Sequence, residues 1–417
     1  MQPHRLSLML NDNGDGTHGF RFLGEQEFKN EASFDGNELQ DLIDQTRGAL
    51  RLAAWGDDDP WKDQTYRYEG QLDQDRLRKD LIRFAIRGYR FYDAVINRLS
   101  GDAREAEKLA ALMRESGLVQ IASKESTRLV LPAAMIYDYA FDTNADSALY
   151  TLCPDFLAAV TNPTPLEEVP CFKSSCPHAT REDNETLICP SGFWGYRHAI
   201  GMPLSVATAP DAPSVIAAPG GPQVAVGVST DANFVMRADH ERALQGLRAG
   251  LDWNYADTRQ TTLELLKTTR SHVIYFYCHG GIANDVPYIQ VGPVTERGIT
   301  RDTLRYKKIR WNEPRPLVFI NGCHTTALEP EEALEFVSAL VENTGASGVI
   351  GTEITIFEPL ATQFAKHCLD RFLDGAPVGA AVRSARLALL KDGNPLGLVY
   401  LPFAMADLRL VEAPPVA

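Results

Sequence analysis

The sequence lacks the marks of several broad protein classes. No stretch of its 417 residues approaches the ~18 apolar residues that a transmembrane helix needs. The apolar N-terminal segment MQPHRLSLML passes directly into NDNGDG and is too short for a secretion signal. No unit of about 20–50 residues recurs along the chain, which argues against a solenoid. We therefore expect a globular protein in the cytoplasm, without a membrane partner.

Positive charge is also scarce. The chain has 41 Lys and Arg residues against 55 Asp and Glu residues, so its net charge is −14. Surfaces that bind nucleic acid need clustered Lys and Arg, and we expect no direct nucleic-acid partner. The acidic balance favours basic substrates or partners instead. The hydrophobic fraction of 44% is enough to build the cores of two or three domains.

Cysteine is infrequent and unevenly placed. There are seven cysteines and no paired CxxC motif. All four cysteines in the first half of the chain share one irregular stretch with the histidine His178, namely Cys153, Cys171, Cys176 and Cys189. Because structural zinc takes four Cys or His ligands, the four cysteines are candidate ligands of a structural zinc ion. Plain packing cysteines and a redox or disulfide role remain the alternatives.

The first half of the chain predicts two regions. Residues 1–117 begin with a β-hairpin around NDNGDG and continue with three amphipathic helices, at 36–54, 73–99 and 103–116. They form a candidate regulatory region. Residues 118–211 predict two strands, LVQIAS and RLVLPAAMIYDYAF, followed by the Cys-rich stretch, which predicts a long structured loop.

Residues 212–412 have a different pattern. Short apolar runs typical of buried strands alternate with amphipathic helices, including helices at 239–251 and 358–373. This alternation predicts an α/β domain with a mostly parallel sheet.

Two of the apolar runs in this region end in reactive side chains. Residues 317–320 are followed by Asn321, Gly322 and Cys323, and residues 273–277 lead to His279 and two glycines. A thiol attacks carbonyls only as the thiolate, and an adjacent imidazole can take its proton. A cysteine after a strand is often only a small buried hydrophobe. The matching positions of the two residues favour a catalytic thiol–imidazole pair.

The backbone around this pair offers further groups. The N–H groups of Gly280 and of Cys323 itself are candidate donors to an oxyanion. Asn321–Gly322 is expected to form a tight turn that exposes the sulfur. Cys278 directly precedes His279, and His324 directly follows Cys323. Because successive side chains in a strand point to opposite faces, we expect Cys278 and His324 to point away from the pair.

Several segments resemble the CHAT domain, a bacterial branch of the caspase-like cysteine peptidases related to separase and gingipain. The segments are HGG at 279–281, NGCHT at 321–325, GVIGTEITIFEPLATQF at 348–364, and the C-terminal GAPVGAAVRSARLALL and YLPFAMADLRL. With the upstream RLVLPAAMIYDYAF and CPSGFWGYRH, the resemblance covers residues 118–410. It implies a caspase-like three-layer α/β/α sandwich, with His279 as general base and Cys323 as nucleophile.

The resemblance also implies an activity and its setting. It implies a cysteine endopeptidase that cleaves a protein substrate, needs no cofactor for catalysis, and is activated by a protein partner in a bacterial defence or regulatory pathway. A catalytically silent scaffold with the same fold is the alternative. Where family members often have GTLWPVDD, this chain has GTEITIFE. Glu353 and Glu358, together with Asp285, are therefore candidates for a pocket that receives a basic substrate side chain, although the glutamates could equally pair with local arginines.

Overall fold

The chain divides into two compact units, Met1–Ile200 with Val382–Val399, and Gly201–Ala381 with Tyr400–Ala417. The computed structural model describes residues 4–56, 66–68, 73–101, 103–124, 128–181, 183–205, 212–247, 251–268, 270–284, 286–322 and 330–412, with the backbone alone for 330–333. Within these ranges no helix is both long and apolar enough to cross a membrane. The three-region division at residues 117 and 211 stays a prediction.

The first unit opens with a sheet and three helices. Its elements are β1 (His4–Asp12), β2 (Thr17–Gly24), β3 (Lys29–Asp35), α1 (Gly36–Trp55), α2 (Gln74–Ile96), α3 (Ala103–Met113) and β4 (Leu118–Lys124). The strand order is β3-β2-β1-β4, antiparallel except for the parallel pair of β1 and β4. The predicted hairpin and the three predicted helices are confirmed, with their ends moved by a few residues.

Local sequence explains this arrangement. Phe20 and Phe22 lie on either side of the exposed Arg21 in β2 and are buried with Phe34 of β3, so one face of the sheet is apolar. Asp35 then begins α1, because its carboxylate accepts the N–H groups of Asn37 and Glu38.

The described residues from 128 to 201 form only short elements. They are β5 (Thr151–Leu152), α4 (Pro154–Thr161), α5 (Pro170–Lys173), β6 (Leu187–Ile188), α6 (Trp194–Arg197) and β7 (Ala199–Gly201), and β7 reaches the start of the second unit. The irregular Cys-rich stretch is therefore confirmed. The strand predicted over RLVLPAAMIYDYAF is wrong, because this segment has a 3₁₀ turn at Ala133–Met135 and its residues are buried without alternation.

The second unit is an α/β domain. Its elements are β8 (Leu204–Ser205), β9 (Val215–Ala217), β10 (Gln223–Val228), α7 (Arg237–Gln245), β11 (Asp252–Ala256), α8 (Arg259–Thr268), β12 (Val273–Ala283), β13 (Val286–Gln290), β14 (Ile299–Thr300), α9 (Arg301–Tyr306), β15 (Leu317–Gly322), α10 (Pro330–Glu342), β16 (Gly348–Thr352), α11 (Glu358–Leu373), α12 (Val378–Lys391), β17 (Tyr400–Ala404) and β18 (Arg409–Val411). Helix α12 begins in this unit and ends in the first.

The main sheet has the strand order β11-β10-β12-β15-β16-β17. Every neighbouring pair is parallel except β16 and β17. Its central strands read VAVGV, VIYFYC and LVFI, the near-continuous apolar runs of strands covered on both faces. Beyond its parallel part, β12 continues as an antiparallel hairpin with β13.

Helices cover both faces of this sheet. On one face, Tyr275 of β12 contacts His240 of α7, and Phe319 of β15 contacts Phe364 of α11. Helices α8 and α10 cover the other face, where they lie against β10 and β16. The predicted three-layer α/β/α sandwich with a mostly parallel sheet is confirmed.

One predicted helix of this unit is wrong at its end. The helix expected over 239–251 stops at Gln245, and the edge strand β11 begins at Asp252. Strand β11 lies at the edge of the sheet, pairs with only one other strand and stays partly exposed. Its sequence, DWNYA, therefore lacks the continuous apolar run of the central strands.

Candidate active site

His279 lies where the parallel part of β12 ends. The last residues paired between β12 and β15 are Cys278 and Gly322. The next residue on β12, His279, is instead paired with Gln290 of β13. This position is the carboxyl end of the parallel strands, the edge at which open α/β sheets bind ligands.

Asp231 holds the imidazole of His279. Its Oδ2 lies 2.7 Å from Nε2 of the ring, and the two side chains are 14% and 15% exposed. A carboxylate only accepts hydrogen bonds, so Nε2 carries the proton of this contact. In this tautomer the other ring nitrogen, Nδ1, carries the lone pair and can act as a base.

A short loop after β10 fixes the carboxylate. Asp231 Oδ1 accepts the N–H of Asn233 at 3.0 Å, and the N–H of Asp231 itself donates to Ser229 Oγ. Ser229 is tied in turn to β12, because its N–H donates to the carbonyl of Tyr277 at 2.8 Å. The Asn233 N–H, and after it the contact with His279, hold the pKa of Asp231 below its usual range, so the carboxylate is ionised at neutral pH.

Aromatic rings support the histidine from the same face of the sheet. The ring of Phe234 lies 4.6 Å from that of His279 and 5.0 Å from that of Tyr277, with an edge-on geometry in both pairs. His240 packs behind them and shares a 2.7 Å hydrogen bond with the hydroxyl of Tyr275. Burial lowers the pKa of His240 to about 4, so this imidazole is neutral and serves the packing.

Cys323, His324 and Asp285 lie outside the described residues. Gly280, the other candidate oxyanion donor, is buried in β12 and paired with Ile289. It lines a cavity of about 60 Å³ together with Gly322, and the remaining lining is largely apolar. Cys278 is fully buried, and burial raises the pKa of its thiol, as expected of a packing cysteine.

The two glutamates proposed for a substrate pocket are both buried. Glu358 is 3% exposed, and one oxygen of its carboxylate accepts the N–H of Met236 at 2.9 Å and the hydroxyl of Tyr277. This carboxylate therefore joins α11 to the start of α7. Glu353 is 1% exposed, and its neighbours Thr352 and Ile354 line the cavity while Glu353 does not. A role for either glutamate in substrate binding stays a prediction.

Asn321 is part of β15 and forms no turn, contrary to the expectation for Asn321–Gly322. Its side chain is fully buried and makes three hydrogen bonds. The amide nitrogen donates to the hydroxyl of Tyr275 and to the carbonyl of Ala361, both at 2.7 Å, and the amide oxygen accepts the hydroxyl of Tyr400 at 2.8 Å. The residue that precedes Gly322 is thus locked into the face that also carries His279.

The fold brings the four candidate zinc ligands together. Their sulfur atoms all lie within 4.8 Å of one another, and each residue is fully buried. His178 lies beside this group, and its Nε2 is 3.0 Å from Oδ2 of Asp155.

Asp231 is the residue that the sequence patterns did not identify. Acidic residues are common in loops, and nothing in STDAN distinguishes this one. A signal was available in the order of the strands, because Asp231 follows β10 and His279 ends the parallel part of the adjacent β12. In a parallel sheet the ends of neighbouring strands converge on one edge.

Comparison with known proteins identifies the relatives of this chain. The CHAT domain family model matches residues 177–402, which contain both His279 and Cys323. A probable protease from Vitiosangium sp. is 45% identical over 420 residues, covering 97% of this chain and 54% of its own length. The chain thus spans about half the length of this curated relative.

Two solved structures of the Saccharomyces cerevisiae separase–securin complex are similar at a lower level. Their TM-scores are 0.43 and 0.40 at 10% and 8% identity, and they cover 97% and 96% of this chain and 30% of each separase chain. The family match extends over more than half of the chain, from residue 177 within the Cys-rich stretch to β17. This chain belongs to the CHAT domain family.

Proposed function

We propose that the chain is a cysteine peptidase in which His279 and Cys323 form the catalytic pair and Asp231 positions the imidazole. One observation carries the proposal. An imidazole held by a largely buried carboxylate stands immediately after the Cys278–Gly322 pair, and Cys323 is the residue that follows Gly322 in the sequence. Neighbouring strands run ~4.8 Å apart, which is within reach of a thiol–imidazole hydrogen bond.

The chemistry follows from this arrangement. Asp231 keeps the proton on Nε2, so Nδ1 of His279 takes the proton of the Cys323 thiol. The thiolate attacks the peptide carbonyl carbon, and the N–H groups of Gly280 and Cys323 stabilise the oxyanion. The imidazolium then protonates the leaving amine as the C–N bond breaks. Water, deprotonated by His279, hydrolyses the thioester.

The substrate class and the mode of regulation are also proposals. Family membership and the name of the Vitiosangium relative support a protein substrate. A protein partner as activator and a place in a bacterial defence or regulatory pathway follow from the family resemblance. No cofactor has a part in the proposed chemistry.

Thiol reactivity tests the pair without knowledge of the substrate. An unassisted thiol with a pKa near ~8.5 is less than about 1% ionised at pH 6. We therefore expect iodoacetamide to alkylate Cys323 at pH 6 at least about tenfold faster in the wild type than in His279→Ala. Peptide mapping by mass spectrometry measures the rate at each cysteine, and Cys278 serves as the internal control. Equal rates in the two proteins would refute the pairing.

Cleavage itself is tested by identifying new protein N-termini in a cell extract. Extract treated with the wild type is compared with extract treated with Cys323→Ala, and Cys278→Ala is the matched control. Termini produced by the wild type and the control, but not by Cys323→Ala, support the peptidase. The same set of termini from all three proteins, or none from any of them, would favour the silent scaffold.

A further inference from the structure

Four buried thiols of the first unit converge on one point. Cys153, Cys171, Cys176 and Cys189 are each fully buried, and their four sulfur atoms lie within 4.8 Å of one another. The Cys153 sulfur is 3.6 Å from that of Cys176 and 3.9 Å from that of Cys171. The family match begins at residue 177, so three of the four thiols precede it.

The backbone holds these cysteines on separate short elements. Cys153 precedes α4, Cys171 lies in α5, and Cys189 follows β6. The pairing of β5 with β6 brings the first and last together, because the N–H of Cys153 donates to the carbonyl of Ile188 at 2.9 Å. No element here exceeds eight residues, so regular hydrogen bonding alone gives this region little rigidity.

The sulfur separations match tetrahedral coordination of a single metal ion. Zn–S bonds of ~2.3 Å in a tetrahedron place neighbouring sulfurs about 3.8 Å apart, between the two distances observed. A disulfide needs ~2.05 Å, and an iron–sulfur cluster places several atoms between its thiolates and needs a wider group.

Neighbouring groups donate to the sulfur atoms as expected around bound thiolates. The N–H of Ala179 donates to the sulfur of Cys176 at 3.4 Å. The hydroxyl of Ser191 lies 3.2 Å from the sulfur of Cys189, and its own oxygen is 3.1 Å from the hydroxyl of Tyr139. Such outer contacts orient metal ligands and spread the charge of a tetrathiolate site.

We propose that Cys153, Cys171, Cys176 and Cys189 bind one Zn²⁺ ion as a closed structural site. Each thiol loses its proton on binding, and no ligand position stays open, so the ion has no part in peptide cleavage. The alternative trio of Cys153, Asp155 and His178 is less suited, because Asp155 and His178 are 43% and 33% exposed and already pair with each other. The zinc ion fastens four short segments that share no sheet larger than two strands.

Metal analysis of the purified full chain tests the site. We expect about one zinc per chain in the wild type, and less than about a tenth of that in Cys171→Ser. Cys368→Ser is the matched control, because Cys368 is also buried but belongs to α11 of the second unit and is not one of the four proposed ligands. It should keep its zinc. A wild type that holds no zinc and takes up none from solution under reducing conditions would overturn the proposal, as would iron in place of zinc or a disulfide between any two of the four cysteines.

A second measurement covers the case in which Cys171→Ser fails to fold. Replacing the ion with Co²⁺ in the wild type should produce the intense thiolate-to-cobalt absorption of tetrahedral sulfur coordination. Chelation should lower the melting temperature of the wild type, and restored Zn²⁺ should reverse the change. Weak octahedral cobalt bands, or a melting temperature that does not respond to the metal, would count against the site.

Discussion

Replacing Asp231 by asparagine is the sharpest test of how His279 is held. The substitution keeps the size of the side chain and removes its charge. The present contact is short, at 2.7 Å, and both partners are about six-sevenths buried, so water screens it little. An amide in this place can also present N–H₂ to Nε2, which would favour the tautomer with the proton on Nδ1. In the proposed mechanism, Nδ1 could then no longer take the proton of the Cys323 thiol.

The expected loss follows from the strength of that contact. Hydrogen bonds to charged groups contribute about 1.5–3 kcal/mol, and each 1.4 kcal/mol of transition-state stabilisation corresponds to about a tenfold change in rate. We therefore expect kcat/KM to fall by about 10- to 150-fold in Asp231→Asn, mostly through kcat. The loss should be well short of the complete inactivation expected for Cys323→Ala.

The assay combines peptide turnover at pH 7 with the alkylation rate of Cys323, so that binding and thiol activation are measured separately. Asp239→Asn is the matched control, because Asp239 lies in α7 of the same unit with its side chain 72% exposed. An unchanged alkylation rate in Asp231→Asn would refute the positioning role. The positioning role would also be refuted if Asp231→Asn lowered the melting temperature so far that unfolding explained the whole loss of activity.

Three further predictions concern the stability of the two units. A Cβ at Gly88 would stand 2.0 Å from the carbonyl oxygen of Met135, so Gly88→Ala should lower the unfolding free energy by about 1–3 kcal/mol, although alanine has the better helix propensity. Gly246→Ala is the control, because the nearest atom to its Cβ would be 3.5 Å away. Its unfolding free energy should stay within about 0.5 kcal/mol of the wild type in the same urea titration. Asn321→Leu removes one hydrogen bond from each of two buried tyrosine hydroxyls and from a carbonyl, and it should lower the unfolding free energy by about 3 kcal/mol or more in urea unfolding. A loss below about 1 kcal/mol would contradict the network. Burial raises the pKa of Glu358 in the folded protein above its value of about 4.3 in the unfolded chain. The stability that this difference in pKa contributes is therefore complete below about pH 4.3 and is lost as the pH rises through the folded pKa. The unfolding free energy of Glu358→Gln, measured against the wild type, should therefore rise with pH above that value, and a flat difference would contradict the assignment.

The helices and central strands of the second unit could be predicted because each is determined largely by its own stretch of sequence. The runs VIYFYC and LVFI are apolar at every position, and only strands covered on both faces need that composition. Helix α11 was predicted with its observed ends. The edge strand β11 was missed because exposure on one side gives it the composition of a loop.

The site was predictable only in part, because some of its contacts join distant segments. His279 was found from its position after an apolar run. Asp231, 48 residues earlier, becomes its partner only through the pairing of β10 with β12. Asn321 was expected in a turn because Asn–Gly favours turns. Three buried partners keep it in the strand instead, and no local pattern reveals them.

The polar side chains of one sheet face connect these observations. Tyr275 receives a hydrogen bond from Asn321 and shares another with His240, and Tyr277, two residues before His279, donates to Glu358. The ends of β12 and β15 are therefore fixed by side-chain hydrogen bonds in addition to their backbone pairing. Because unmatched donors and acceptors are costly in a buried network, these residues permit few alternative positions. A catalytic histidine needs that kind of support, since a small misplacement of the reacting groups costs rate more readily than stability.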